Sequence, residues 1–135
     1  MRLPGRVLAG TSGFSYPGWI PRFYPSGLRS RDLLSHYATR LPACELNNTF
    51  YRLPDRTAVE GWARQTPDEF VFTVKASRYL THVKRLGEMG KGVELFYERI
   101  EPLRSAGKLG PVLWQLPPTF RRDDDRLAGA LDQLP

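Results

Sequence analysis

Four polar residues recur at like positions inside apolar segments: Glu45 and Asn47 in Cys44 to Phe50, Lys75 in Phe70 to Ala76, and Gln115 in Val112 to Leu116. Side chains alternate along a strand, so Cys44 and Leu46 share one face and Glu45 and Asn47 the other. In the same way Phe72 and Val74 oppose Thr73 and Lys75, while Val112 and Trp114 oppose Leu113 and Gln115. Each polar set lies toward the C-terminal half of its segment. The spacing therefore predicts that Glu45, Asn47, Lys75 and Gln115 converge at the crest of a sheet or the inner top of a barrel. A charge on a buried parallel strand costs several kcal/mol unless it is paired, so Glu45 and Lys75 must meet each other, water or a ligand. They form either a structural ion pair or a working pair, in which Glu45 is a general acid or base and Lys75 clamps an anion. A Schiff-base role for Lys75 is disfavoured, because a neighbouring Glu45 holds the amine protonated.

Two further segments carry chemistry. Gly10-Thr11-Ser12-Gly13-Phe14-Ser15 could present backbone N–H groups and the Thr11 and Ser12 hydroxyls to a phosphate, although its spacing matches neither a Walker loop nor a Gly-x-Ser-x-Gly elbow. It equally reads as a glycine turn leading into Tyr16, Trp19, Phe23 and Tyr24, an aromatic lid over the strand ends or a plug sealing the core. Beyond Lys75 lie Arg78, Tyr79, His82, Lys84 and Arg85, which read as a solvated loop or as groups that hold phosphate, with His82 as an acid/base partner. A nucleic-acid-binding role for the basic segment 75–85 is the alternative function. His36, in mid-helix, reads as a surface or packing residue.

The elements that must position these groups belong to an ordinary globular chain. It has 135 residues, 41% hydrophobic and 25% charged, the size of one domain. No apolar run approaches the ~20 residues that cross a bilayer, and Val7-Leu8-Ala9 is too short for a signal-peptide core, so a cytoplasmic protein without membrane contact is expected. Cys44 is the only cysteine and there are two histidines, which excludes an internal disulfide and a four-ligand zinc site, and no metal is expected. Nothing points to a particular cofactor. The net charge of +6 favours anionic partners, but 16 of the 20 basic residues are arginines spread along the chain. Without a secretory route, the Asn47-Asn48-Thr49 sequon carries no meaning.

Apolar periodicity predicts four strand-then-helix units. The strands are expected at about Arg6 to Gly10, Cys44 to Phe50, Phe70 to Ala76 and Val112 to Leu116. A helix capped by Ser30 aligns Leu33, Leu34, Tyr37, Ala38 and Leu41. A second opens on the capping-box pattern Thr57 to Glu60 and buries Val59, Trp62 and Ala63. A third aligns Val93, Phe96, Ile100 and Leu103. The last starts near Asp123 or Asp124, with Leu127, Leu131 and Leu134 in phase. Such alternation argues for a parallel sheet with helices outside. Helix-to-strand connections are short, whereas the strand-to-helix segments Thr11 to Arg29 and Ala76 to Gly90 are long, so the working face is the C-terminal edge of the strands.

The blocks Gly10-Thr11-Ser12-Gly13-Phe14-Ser15-Tyr16-Pro17-Gly18-Trp19, Glu45-Leu46-Asn47-Asn48-Thr49-Phe50-Tyr51-Arg52-Leu53-Pro54, Phe72-Thr73-Val74-Lys75-Ala76, Thr81-His82-Val83-Lys84-Arg85-Leu86 and Gly110 to Pro118 resemble the YecE-like family, the domain of unknown function 72. The resemblance covers nearly the whole chain and implies a TIM-barrel-like α/β fold without implying an activity. Asn48 departs from the Ser usual in the family. A closed barrel takes about 250 residues, and the family's later Glu-Phe-Arg-His and paired-Asn segments have no counterpart. The expectation is an incomplete half-barrel of about four β/α units, the N-terminal half of an enzyme-like barrel that binds a small anionic or phosphorylated ligand. Glu45, Lys75 and His82 are its expected catalytic residues, and Thr11, Ser12, Asn47, Tyr51, Arg85 and Gln115 its expected ligand contacts. Two open strand edges predict that it pairs with itself or with the missing half.

Overall fold

In a computed structural model of the chain, which describes residues 5–135, four strands form one sheet: β1 (Gly10–Ser12), β2 (Ala43–Leu46), β3 (Val71–Lys75) and β4 (Leu109–Leu113). They lie side by side in chain order, each parallel to the next. The helices are α1 (Leu33–Ala38), α2 (Asn48–Tyr51), α3 (Arg56–Arg64), α4 (Gly90–Ser105) and α5 (Asp124–Leu131). This is an α/β fold with a parallel four-stranded sheet. Among the described residues no helix is long and apolar enough to cross a membrane.

Alternation along the strands decides which face is dry. Cys44, Leu46, Phe72, Val74 and Ala76 are buried against Val59, Phe96, Ile100 and Leu103 of the helices, whereas Glu45, Thr73 and Lys75 stay half-buried on the opposite face. Trp19, Phe23 and Tyr24 extend this core as a plug: the Trp19 ring stacks on Tyr24 at 5.9 Å and on Tyr37 at 6.5 Å. His36 packs edge-on to Phe23 at 5.8 Å, and its Nε2 bonds the Phe23 carbonyl at 2.9 Å.

The element boundaries correct the sequence expectations in five places. The first strand begins only at Gly10, where Ala43 comes opposite; Val7 is 94% exposed. The second strand stops at Leu46 rather than Phe50. There the Thr49 hydroxyl reaches the carbonyls of Leu46 at 2.9 Å and Lys75 at 2.7 Å, turning the chain into α2. The fourth strand starts at Leu109, not Val112, because a bulge opposite Phe72 to Val74 admits Gly110 and Pro111, and an edge strand tolerates proline. Ser30 opens a 3₁₀ turn (Ser30–Asp32) instead of capping α1. The Thr57 capping box does not form, since α3 begins at Arg56 and Glu60 turns to Arg56 at 3.5 Å. Asp123 does cap α5, accepting from the Arg126 N–H at 2.9 Å, but Leu127 and Leu131 remain exposed.

Sequence periodicity gives no hint of Lys108. Its side chain is 4% exposed, and its ammonium donates to the carbonyls of Ala63 and Thr66, both at 2.6 Å, just past the end of α3. A buried cation here satisfies carbonyls that a helix C-terminus leaves orphaned and complements its negative dipole end.

Burial also sets a pH limit. It pushes the Cys44 thiol up from 9.0 to about 11 and the Tyr24 hydroxyl from 10.0 to about 12, with the charges of Cys44 and Tyr37 adding to the effect at Tyr24. Both groups are neutral in the fold at a pH where the unfolded chain has begun to ionise. Their contribution is complete below pH 9 and is lost as pH rises through 11 and 12. Thermal melting followed from pH 7 to 12 should give a midpoint that is level to about pH 9 and then falls; a level midpoint to pH 12 would contradict the burial of both groups.

Candidate functional site

With all strands parallel, one edge of the sheet collects every strand C-terminus: Ser12, Leu46, Lys75 and Leu113. The register sets Ser12 opposite Glu45 and Glu45 opposite Thr73, and directly paired residues point to the same face. Lys75 lies two positions further along that face, about 8 Å from Glu45 at Cα by strand spacing and rise.

Three of the expected site residues are joined. Asn47 Nδ2 donates to Ser12 Oγ, and Ser12 Oγ donates to Glu45 Oε1 at 2.9 Å. The Gly13 N–H holds the Glu45 carbonyl at 2.8 Å, and Tyr16 donates its hydroxyl proton to the Ser12 carbonyl. Gly13 has φ +79°, and a Cβ there would meet the Tyr16 hydroxyl at 2.7 Å, so the turn needs glycine. Asn47 Oδ1 is buried with no hydrogen-bond partner among the described residues. Asn47 also lines a cavity of about 210 Å³ with Gly13, Phe14, Ser15, Tyr16 and Asn48. A buried acceptor left unmatched beside an opening is unusual in a folded chain and fits a ligand that brings a donor.

A second group gathers around Phe50. Lys75 Nζ sits 4.6 Å from the Phe50 ring centroid, and His82 packs edge-on to the same ring at 5.1 Å. His82 Nδ1 is hydrogen-bonded to the Thr81 hydroxyl at 2.9 Å within a π-helical turn (Tyr79–Val83). Tyr51 touches Phe50 edge-on and is 80% exposed. Glu45 and Lys75 take part in none of the ion pairs among the described residues. Lys75 thus lies over an aromatic face, a contact of about 0.5–2 kcal/mol that leaves its three N–H donors free.

The remaining expected residues stand elsewhere. Thr11 is engaged within the protein: its N–H donates to the Tyr37 hydroxyl oxygen at 2.9 Å, and that hydroxyl donates to the Ala43 carbonyl at 2.8 Å. The N–H groups of Thr11 and Gly13 are both spent inside the protein. Gln115 is exposed, two residues beyond the end of β4. Arg85 belongs to a different cavity, where it bonds the Thr119 carbonyl at 3.0 Å. The basic segment 75–85 forms no single stripe, since Lys75 lies on Phe50, Lys84 on Tyr79 and Arg85 on Phe120. Thr49 and Phe50, which seat β2 against β3 and carry Lys75, were not among the expected site residues. Among the described residues no three His, Cys, Asp or Glu side chains gather as a metal-binding set.

The fold and this polar edge define a parallel α/β protein whose candidate site lies at the C-terminal ends of its strands. The family model described as "Protein of unknown function DUF72" matches residues 8–135, and the chain belongs to that family. It is 33% identical over 130 residues to UPF0759 protein YecE of Escherichia coli K12, an alignment covering 96% of this chain and 44% of the relative. It is 32% identical over 102 residues to UPF0759 protein YunF of Bacillus subtilis, covering 72% of this chain and 36% of the relative. The chain thus spans less than half the length of these relatives. A DUF72 family crystal structure from Thermotoga maritima superposes with TM-score 0.81 at 32% identity, covering 95% of this chain and 52% of that one. Another from Enterococcus faecalis gives TM-score 0.74 at 23% identity and supports the fold alone, covering 93% and 45%.

Proposed function

We propose that the chain is the N-terminal half of a TIM-barrel-like protein of enzyme type and supplies one wall of a site for a small hydroxylated anion. The half-barrel reading is supported by four parallel strands in chain order, by an inner face left polar, and by the share of the solved relatives that the chain spans. The exposed Leu127 and Leu131 of α5, next to Trp114 and Leu116 in an apolar groove, fit a helix that a further β/α unit would cover. The edges of β1 and β4 pair with no strand among the described residues, so a partner half or a second copy is expected there.

The observation that carries the ligand reading is that two groups at the C-terminal ends of neighbouring strands are unmet: the buried acceptor Asn47 Oδ1, one residue past β2, and the cation Lys75, the last residue of β3, which has no carboxylate partner among the described residues. The first calls for a hydroxyl donor and the second for an anionic group. Glu45, joined to Asn47 through the Ser12 hydroxyl, is the group positioned to take or give a proton. Glycolate is the simplest probe with both features. Its titration into the labelled chain, followed by NMR at the Asn47 side-chain amide, should give saturable shifts. Lys75→Gln should weaken binding by about tenfold or more, as expected for a lost hydrogen bond to a charged group. Equal affinity in Lys75→Gln, or equal shifts with neutral ethylene glycol, would sink the assignment.

A further inference from the structure

A second cationic centre stands apart from the Asn47 cavity. The loops that follow β3 and β4 meet around a space of about 330 Å³ whose wall includes Arg85, Arg121, Arg122, Arg126, Asp123 and Thr119. Arg122 is neutralised by a bidentate pair with Asp124, at 2.9 and 2.8 Å. Asp123 is occupied in capping α5, and its other oxygen approaches Arg126 only to 3.9 Å. Arg121 has no carboxylate partner among the described residues. Three guanidiniums therefore face one engaged carboxylate.

Two of the three are fixed by the main chain. Arg85 donates to the Thr119 carbonyl at 3.0 Å and lies 5.3 Å from the Phe120 ring centroid; Arg126 donates to the Arg85 carbonyl at 3.0 Å. A guanidinium carries five N–H donors, so most of those on Arg85, Arg121 and Arg126 stay unspent. The segment that presents Arg85 is also strained. Arg85, Leu86 and Glu88 have φ values of +49°, +66° and +46°, left-handed conformations held without glycine. Left-handed backbone of this kind is sparsely populated without glycine and concentrates at functional sites, where the surrounding structure holds it. Like charges held together from two loops, at a backbone cost, point to a bound anion that accepts several N–H bonds at once.

We propose that Arg85, Arg121 and Arg126 form a phosphate-binding site between the loops after β3 and β4, taking the phosphate group of a small phosphomonoester. A tetrahedral phosphate dianion suits three guanidiniums around one space better than a carboxylate, which offers two oxygens in one plane. The site stands independently of the Lys75 and Asn47 reading, because it shares none of its residues.

The test is a titration of inorganic phosphate into the labelled chain, with sodium chloride at matched ionic strength as control, followed at the arginine side-chain Nε–Hε signals. Saturable shifts at Arg85, Arg121 and Arg126 in the millimolar range are expected, beyond those from chloride. Arg121→Gln, an exposed side chain with no partner to lose, should weaken phosphate binding about fivefold or more. Lys75→Gln should leave it unchanged. Shifts that never saturate, that chloride reproduces, or that persist at full affinity in Arg121→Gln together with Arg85→Gln would overturn the proposal. A failure of this site leaves the glycolate response at Asn47 intact, so the two results separate.

Discussion

Replacing Lys108 with Met should lower the unfolding free energy by about 2–4 kcal/mol, the cost of leaving the Thr66 carbonyl without its ammonium donor and the Ala63 carbonyl with only the Thr66 hydroxyl at 3.3 Å. The methylene stem of Lys108 is retained in shape by Met, so the loss reads on the ammonium. That ammonium spans the Ala63 and Thr66 carbonyls, 45 and 42 residues away in the chain, and so ties the end of α3 to the start of β4. The shift should appear as a lower urea midpoint with an unchanged slope. A loss below ~1 kcal/mol would mean that water replaces the ammonium and that this junction is open.

The second large effect is expected at Gly10. A Cβ built there falls 2.2 Å from the Ala43 carbonyl oxygen and 2.7 Å from its carbon, and both are backbone atoms that cannot rotate aside. Gly10→Ala must therefore push β1 from β2, at about 1–3 kcal/mol or more for the overpacking. Because Gly10 and Ser12 are paired with Ala43 and Glu45, the same displacement should break the Ser12 to Glu45 hydrogen bond and disturb the Asn47 amide. Gly18 provides the control, since a Cβ there meets nothing within 4 Å, and Gly18→Ala should change stability by less than ~0.5 kcal/mol. If the two variants are equally stable, the close approach of β1 and β2 is wrong.

Both effects involve contacts that alternation and periodicity do not encode, and this divides what the sequence disclosed from what it hid. Burial parity was legible: Cys44, Leu46, Phe72 and Val74 are buried, and Glu45 and Lys75 face the other way, because period-two alternation is a local property. The parallel direction of the strands followed from their alternation with helices. Strand ends were hidden. The stop at Leu46 depends on a hydroxyl at Thr49 reaching Lys75 on another strand, and the start at Leu109 depends on a bulge that lets a Gly-Pro pair, normally a turn signal, lie in an edge strand. The site divided the same way. Ser12, Glu45 and Asn47 came together, although β1 runs on to Ser12 and β2 stops one residue short of Asn47. Gln115 did not join them because β4 ends before it, and Arg85 joined Arg126, 41 residues distant, through a strained loop.

On the proposed reading a ligand meets Lys75 and Asn47, which the described residues leave unmet. A crystal structure of the chain grown with glycolate tests it most directly. The account predicts glycolate with its carboxylate at Lys75 Nζ and its hydroxyl donating to Asn47 Oδ1, while the Asn47 to Ser12 to Glu45 chain persists. Lys75 turned onto the Glu45 carboxylate as a closed ion pair, with Asn47 Oδ1 satisfied from within the protein and no glycolate bound, would contradict it.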